Sequence, residues 1–471
     1  MSRVFENTSA LFLAHLAARL LSLLVVIFLM PRHYSETELG SYFLALFITN
    51  LIASIAELGV QAPLIREMTL RPSAARHFMG NALLIRIGLS AIAFGVMVAS
   101  GHLLNYPHTT RQMIYLLGLS EVMSSLAQVF RSVFRAFEQM KYEAFTVITE
   151  RALVVLVGGT LIMLGIDLVD FCLISFLANV LGLALSVFIV ARRFTSLRFK
   201  PDLEIWRVLM RQALPFSLGN MFNLVYFRID TVMLERLSPH GVTANAWYGL
   251  AYTIINGFTI LPGAFMGAMF PGMSRAYVDS ASRFRRIYTD AMQWMALLGA
   301  PFAVGMAVLA SQIVVLFPAN YEQAAIAPAL SLLSWSGGLT FLTTVVITVL
   351  RATDKRKAFT LLMGATMLLN IGLNLILIPR FSHIGAASAM IVSEGFLFMA
   401  GLVFISRKLA RPTQVHVIVK ALAVSGVMGV GLLLLRNRVP IWWLVPGAIV
   451  FYAGVMAILN RGLHMTLDAG G

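Results

Sequence analysis

The chain has 471 residues, of which 59% are hydrophobic and only 12% charged, with a mean hydropathy of +0.83. That balance excludes a water-soluble domain. It also gives the formal net charge of +15 a meaning other than nucleic-acid binding, because the basic residues fall between apolar runs of about 20 residues, the length of a membrane-crossing helix. Runs such as LFLAHLAARLLSLLVVIFLM carry no period of two, which excludes a barrel.

Fourteen spans are predicted, at 9–30, 40–62, 78–101, 112–134, 144–165, 169–191, 213–237, 244–270, 289–316, 327–350, 358–378, 385–407, 418–436 and 441–461. The first carries His15 and Arg19, which share a helix face at a spacing of four. Its opening, MSR followed by Glu6 and a long apolar stretch, reads as an anchor that stays in place and not as a cleaved signal. Glu57 lies in the second span, Arg86 in the third, Glu121 in the fourth, and Glu150 with Arg151 in the fifth. The seventh, around LVYFRIDTVML, holds Asn220, Asn223, Arg228 and Asp230, and the twelfth holds Glu394. Pro262 with Gly263 in the eighth span and Pro301 in the ninth each permit a kink.

With the N-terminus inside, 26 Lys and Arg fall in cytoplasmic segments, 6 in outer segments and 4 in membrane interiors. The positive-inside rule then puts both termini in the cytoplasm. The basic loops, REMTLRPSAARH and SRFRRIY among them, face anionic lipid head groups. Cys172 is the only cysteine and sits mid-span, and the nine histidines show no HxxxH or HExxH spacing, so neither a metal nor a cofactor is expected. Outer loops run to roughly ten residues at most, too short to fold as a domain. The longest inner segment, about Arg192 to Gln212, divides the chain into a first lobe at 1–200, a second at 201–412 and two additional spans at 413–471. A parallel repeat supports two lobes: Arg19 precedes Tyr42 by 23 residues and Arg228 precedes Tyr248 by 20.

An arginine at a helix centre costs about 2.5 to 3.5 kcal/mol on the insertion scale. Arg19 and Arg228 are too deep to snorkel, whereas Arg86 and Arg151 are expected nearer the inner face, where snorkelling is easier. Two readings of Arg19 and Arg228 remain, contact with a transported anion or ion pairing with the intramembrane carboxylates. Arg228 and Asp230 do not neutralise each other, because residues two apart on a helix point about 200° apart. Each therefore needs a partner elsewhere.

LLNIGLNLILIPRFSHIGAASAMIVSEG, ALPFSLGNMFNLVYFRIDTVML, WYGLAYTIINGFTILPGAFMGAMFPGMSR, GSYFLALFITNLIASIAELGVQAPLIRE and RAFEQMKYEA together resemble the oligosaccharide and polysaccharide (Wzx-type) flippases of the multidrug/oligosaccharidyl-lipid/polysaccharide (MOP) superfamily. The resemblance implies an all-α polytopic membrane protein of about 14 helices, in two lobes around a central cavity open alternately to either side. It implies a transporter, not an enzyme, whose substrate is a polyprenyl-diphosphate-linked oligosaccharide bound for a surface polysaccharide such as O-antigen or exopolysaccharide. The cationic helix positions of the family would fall on Arg19 and Arg228, with Arg86 and Arg151 beside them and His15 on the face of Arg19. Asn220 and Asn223 are candidates for sugar hydroxyls or for helix-to-helix bonds. Asp230 and Glu57 are candidates for proton or sodium coupling. A polysaccharide polymerase and glycosyltransferases are the expected protein partners, in a bacterial cytoplasmic membrane. The rival readings are a drug or cation exporter, in which the carboxylates contact substrate, a lipid II flippase, and a membrane glycan polymerase, which would need a large outer loop.

Overall fold

A bilayer offers no partner to a backbone N–H or C=O, so a lipid-embedded segment pairs these groups within itself, and helix is the form that does so without a closed barrel. The computed structural model describes residues 21–57, 59–194, 200–318, 320–411 and 415–459, and among them every regular element is a helix. In chain order these are α1 (Leu21–His33), α2 (Glu36–Glu57), α3 (Gln61–Leu70), α4 (Ala75–Leu103) and α5 (His108–Ala136). They continue with α6 (Met140–Met163), α7 (Leu168–Arg193), α8 (Leu203–Leu237), α9 (Val242–Phe258) and α10 (Ile260–Asp279). The remainder are α11 (Ala281–Val314), α12 (Gln323–Ala352), α13 (Arg356–Lys408), α14 (Val415–Leu435) and α15 (Ile441–Leu459).

Eleven described segments are long and apolar enough to cross a membrane. Beyond these, α8 is 35 residues long, and the 53-residue α13 breaks at Ser382 (φ 52°, ψ −133°) into two helices. With α1, the described end of the first span, these account for the fourteen expected positions. In the eighth span the helix is interrupted one turn ahead of Pro262, stopping at Phe258 and restarting at Ile260, with Thr259 at φ −66°, ψ −9°. The proline ring clashes with the carbonyl four residues back, that of Phe258, so the break forms ahead of the proline. Pro301 sits within an uninterrupted α11.

Short turns join several helices through a left-handed residue, namely Asn105 (φ 52°), Glu138 (φ 56°), Gly165 (φ 87°) and Asp354 (φ 54°). In each the following amide reaches back to close the helix end, as Tyr106 N–H does to Gly101 O at 3.2 Å and Lys355 N–H to Leu350 O at 2.8 Å.

Packing divides the chain into two compact units. One comprises residues up to Gly257 together with Arg356–Ala386, the other Phe258–Lys355 together with Ala387 onward. This is a different partition from the lobes drawn at 200 and 412, since α8 packs on α2, α3 and α4 within the first unit. The core of that unit gathers Leu64, Met79, Val133, Phe134 and Leu209. The second unit packs α14 and α15 on α11 through Leu309, Met428, Leu444 and Tyr452.

Two glycines set the spacing between α2 and α9. A Cβ on Gly40 would lie 2.1 Å from Val242 O, and one on Gly249 would lie 2.6 Å from the Phe43 ring. These are the segments of the expected repeat, packed on each other inside one unit. Cys172 is wholly buried on α7.

Candidate functional site

Within the first unit, α1, α2, α5, α6 and α7 line a partly open cavity of about 130 Å³ whose wall carries Tyr42, Ser120, Glu121, Ser124, Arg151 and Asn179. Valines of two π-helical stretches, Val25–Leu29 in α1 and Val154–Gly158 in α6, form apolar parts of that wall. Such stretches occur often at functional sites. Polar side chains are fixed by bonds within and between helices. Asn50 Nδ2 donates to Leu46 O at 2.8 Å and to Glu121 Oε1 at 3.3 Å. Asn179 Nδ2 donates to Ser120 Oγ at 2.8 Å and to Ser175 O at 3.0 Å, while the Ser120 hydroxyl donates to Ser175 O at 3.2 Å.

Arg151 lies eleven residues from the start of α6 and twelve from its end, about 17 Å from either. It is thus central in its helix, although the stretch Met140–Glu143 at the start of α6 precedes the apolar run. Its side chain is exposed and contributes to the cavity wall, and among the described residues it makes no hydrogen bond or ion pair. Glu121 and Arg151 stand on the same cavity wall.

On α8 the two charges of LVYFRIDTVML take partners from different helices, as their angular separation requires. The Arg228 guanidinium lies 4.8 Å above the Phe47 ring of α2, a cation–π contact, and makes no hydrogen bond among the described residues. Asp230 is buried and accepts hydrogen bonds from the Tyr248 hydroxyl of α9 and from Thr231 N–H at 2.9 Å.

The other predicted residues are dispersed. Arg86 is buried and donates to Glu57 O at 3.2 Å, with Glu57 Oε1 at 3.9 Å, so pairing takes the place of the expected snorkelling. Asn220 is exposed, and Asn223 Oδ1 is buried with no hydrogen-bond partner among the described residues. His15 and Arg19 lie outside the described residues. Two further ion pairs were not anticipated from sequence, the buried Arg131 with Glu150, and the half-buried Arg135 with the buried Glu143. Asn50, Ser120, Ser124 and Asn179 were also missed. A signal for three of them exists, since Ser120/Ser124 and Ser175/Asn179 are polar pairs four apart inside apolar spans and so mark one face of each helix.

The family model described as "Polysaccharide biosynthesis protein" matches residues 4–277, and the model described as MatE matches residues 215–376. No curated protein sequence matches the chain. Among solved structures, the chain is similar to lipid II flippase MurJ in an inward closed conformation (TM-score 0.75, 15% identity, covering 96% of this chain and 98% of that one). It is also similar to an inward-facing multidrug resistance MATE family transporter of the MOP superfamily (TM-score 0.69, 15% identity, 83% and 95% covered). A third similarity is to a MOP superfamily transporter from Pyrococcus furiosus (TM-score 0.56, 14% identity, 86% and 94% covered).

Proposed function

Since the chain belongs to the polysaccharide biosynthesis protein family, we propose that it flips a polyprenyl-diphosphate-linked oligosaccharide across a bacterial cytoplasmic membrane by alternating access, for export of a surface polysaccharide. Its fold is that of the MOP superfamily, it is a multi-pass membrane protein, and it is a transporter and not an enzyme. The observation that carries the substrate reading is the pair Arg151 and Arg228. Both guanidinium groups sit deep in helices of one unit, without a hydrogen bond or ion pair among the described residues. Each costs about 2.5 to 3.5 kcal/mol at a helix centre, and a diphosphate supplies the oxygens that a planar guanidinium bonds two at a time. A polar groove spares the sugar hydroxyls the loss of their water partners while the lipid tail stays in the bilayer.

In this reading Arg19 and His15 extend the clamp from the first span, and Asn220 and Asn223 line the sugar path. Arg86, bound to Glu57, supports the clamp. Asp230 couples transport to protons or sodium through its bond with Tyr248. Both termini face the cytoplasm, where glycosyltransferases build the substrate, and a polymerase receives it on the other side.

The buried carboxylate Asp230 keeps the drug or cation exporter as a second reading. Deletion of the gene followed by lipid extraction separates the two. A flippase predicts lipid-linked oligosaccharide retained on the inner leaflet and loss of a surface glycan. Intact glycan with raised drug sensitivity would assign the exporter.

A further inference from the structure

We propose that the cavity of α1, α2, α5, α6 and α7 is a pyranose subsite in which Glu121, with Ser124 and Asn179, reads the hydroxyls of the sugar next to the diphosphate. The inference rests on the flippase reading above. Charge selects the ligand class. Glu121 on the wall opposes a bare anion, and Arg151 on the same wall opposes a bare cation. A neutral polyhydroxyl compound suits both, because a carboxylate oxygen accepts hydrogen bonds, a guanidinium only donates them, and a sugar hydroxyl does either.

The bonding pattern points the same way. The amide N–H groups of Asn179, a residue of the cavity wall, are engaged by Ser120 and Ser175, which leaves its carbonyl oxygen as an acceptor. Glu121 receives one long bond of 3.3 Å from Asn50, so its carboxylate retains acceptor capacity. The Ser124 hydroxyl has no hydrogen-bond partner among the described residues and lines the cavity. Size agrees as well. An apolar cavity of about 150 Å³ admits a benzene ring, so one of about 130 Å³ that is partly open admits the body of one six-membered ring with its linkage outside. Tyr42 and Phe171, edge to face at 6.1 Å, offer aromatic surface to the C–H face of the ring.

The test uses the full chain in lipid nanodiscs and three probes, polyprenyl diphosphate without sugar, polyprenyl-diphosphate-linked N-acetylglucosamine, and polyprenyl-diphosphate-linked galactose. Wild type binds at least one sugar-bearing probe more tightly than the sugar-free lipid. Glu121→Gln, and independently Ser124→Val, weaken that probe by about tenfold for the carboxylate and less for the hydroxyl, and change binding of the sugar-free lipid less than twofold. Arg228→Ala weakens all the probes. Equal weakening of sugar-bearing and sugar-free lipid by both cavity variants overturns the subsite. So does wild-type binding that ignores the sugar while still depending on Arg228, which leaves the flippase reading standing. Wild type that binds none of the three removes that reading and this inference together.

Discussion

At the scale of single residues, the chain separates intramembrane charges that are held from those that are not. Arg131 meets Glu150 with both side chains over nine-tenths buried, and Gly182 on α7 makes room for that pair, since a Cβ there would lie 1.6 Å from Glu150 Oε1. Gly182→Ala therefore displaces the carboxylate and leaves Arg131 buried without its counter-ion, a cost of about 3 to 5 kcal/mol. The expected result is loss of folded protein in detergent, read by size-exclusion chromatography, whereas Gly88→Ala, in open space, leaves the yield unchanged. Arg151 and Arg228 make no hydrogen bond or ion pair among the described residues. In vesicles containing the lipid-linked substrate, Arg228→Ala and Arg151→Ala are each expected to slow flipping about a hundredfold, the loss of two charge-assisted hydrogen bonds, and Arg228→Lys retains part of the rate. Wild-type flipping by both alanine variants would remove the diphosphate clamp.

At the scale of elements, α8 is tied to the start of α4. Asn81 Oδ1 accepts from Asp202 N–H and from Trp206 Nε1, both at 2.8 Å, and Asn81 Nδ2 donates to Lys200 O at 3.1 Å. The Asp202 carboxylate caps α8 and meets His77 Nε2 at 3.1 Å. The hydrogen bond from His77, then that from Glu204 N–H, holds this carboxyl below the ordinary carboxylate range. A depressed folded pKa means that the stabilisation is full above the unfolded value, about 3.9, and is lost as pH falls through the folded one. The tie should therefore persist through pH 5 and loosen below about pH 4, followed by the red shift of Trp206 emission. Asn81→Ala should give that shift at neutral pH.

Much of this level was legible in the sequence, because a bilayer leaves an apolar run of span length little choice but helix. The divergence of Arg228 from Asp230 followed from the 3.6-residue turn alone. Partner identity did not follow. Arg131 meets Glu150 and Arg86 meets Glu57 across helices, and Glu121 looks like a lone charge until α2 and α6 bring Asn50 and Arg151 beside it.

At the scale of the whole molecule, the chain passes from one compact unit to the other at three places, after Gly257, after Lys355 and after Ala386. Each crossing lies near a departure from helix, namely the break at Thr259, the turn with Asp354 at φ 54°, and Ser382 at φ 52°. Pro262→Ala restores a backbone N–H and removes the clash with Phe258 O, so α9 and α10 should join into one helix. Amides around Thr259 are then expected to gain protection in hydrogen–deuterium exchange and flipping to slow. Unchanged exchange across 257–263 would show that the break does not depend on the ring.

The burial of Cys172 has a practical consequence. A thiol with no solvent exposure in a chain that has no other makes the native protein a blank for maleimide labelling. A cysteine introduced at Ser124 would then be the sole reactive sulfur, and the rate at which it is alkylated, with and without a sugar-bearing lipid, would report occupancy of the cavity from inside the bundle.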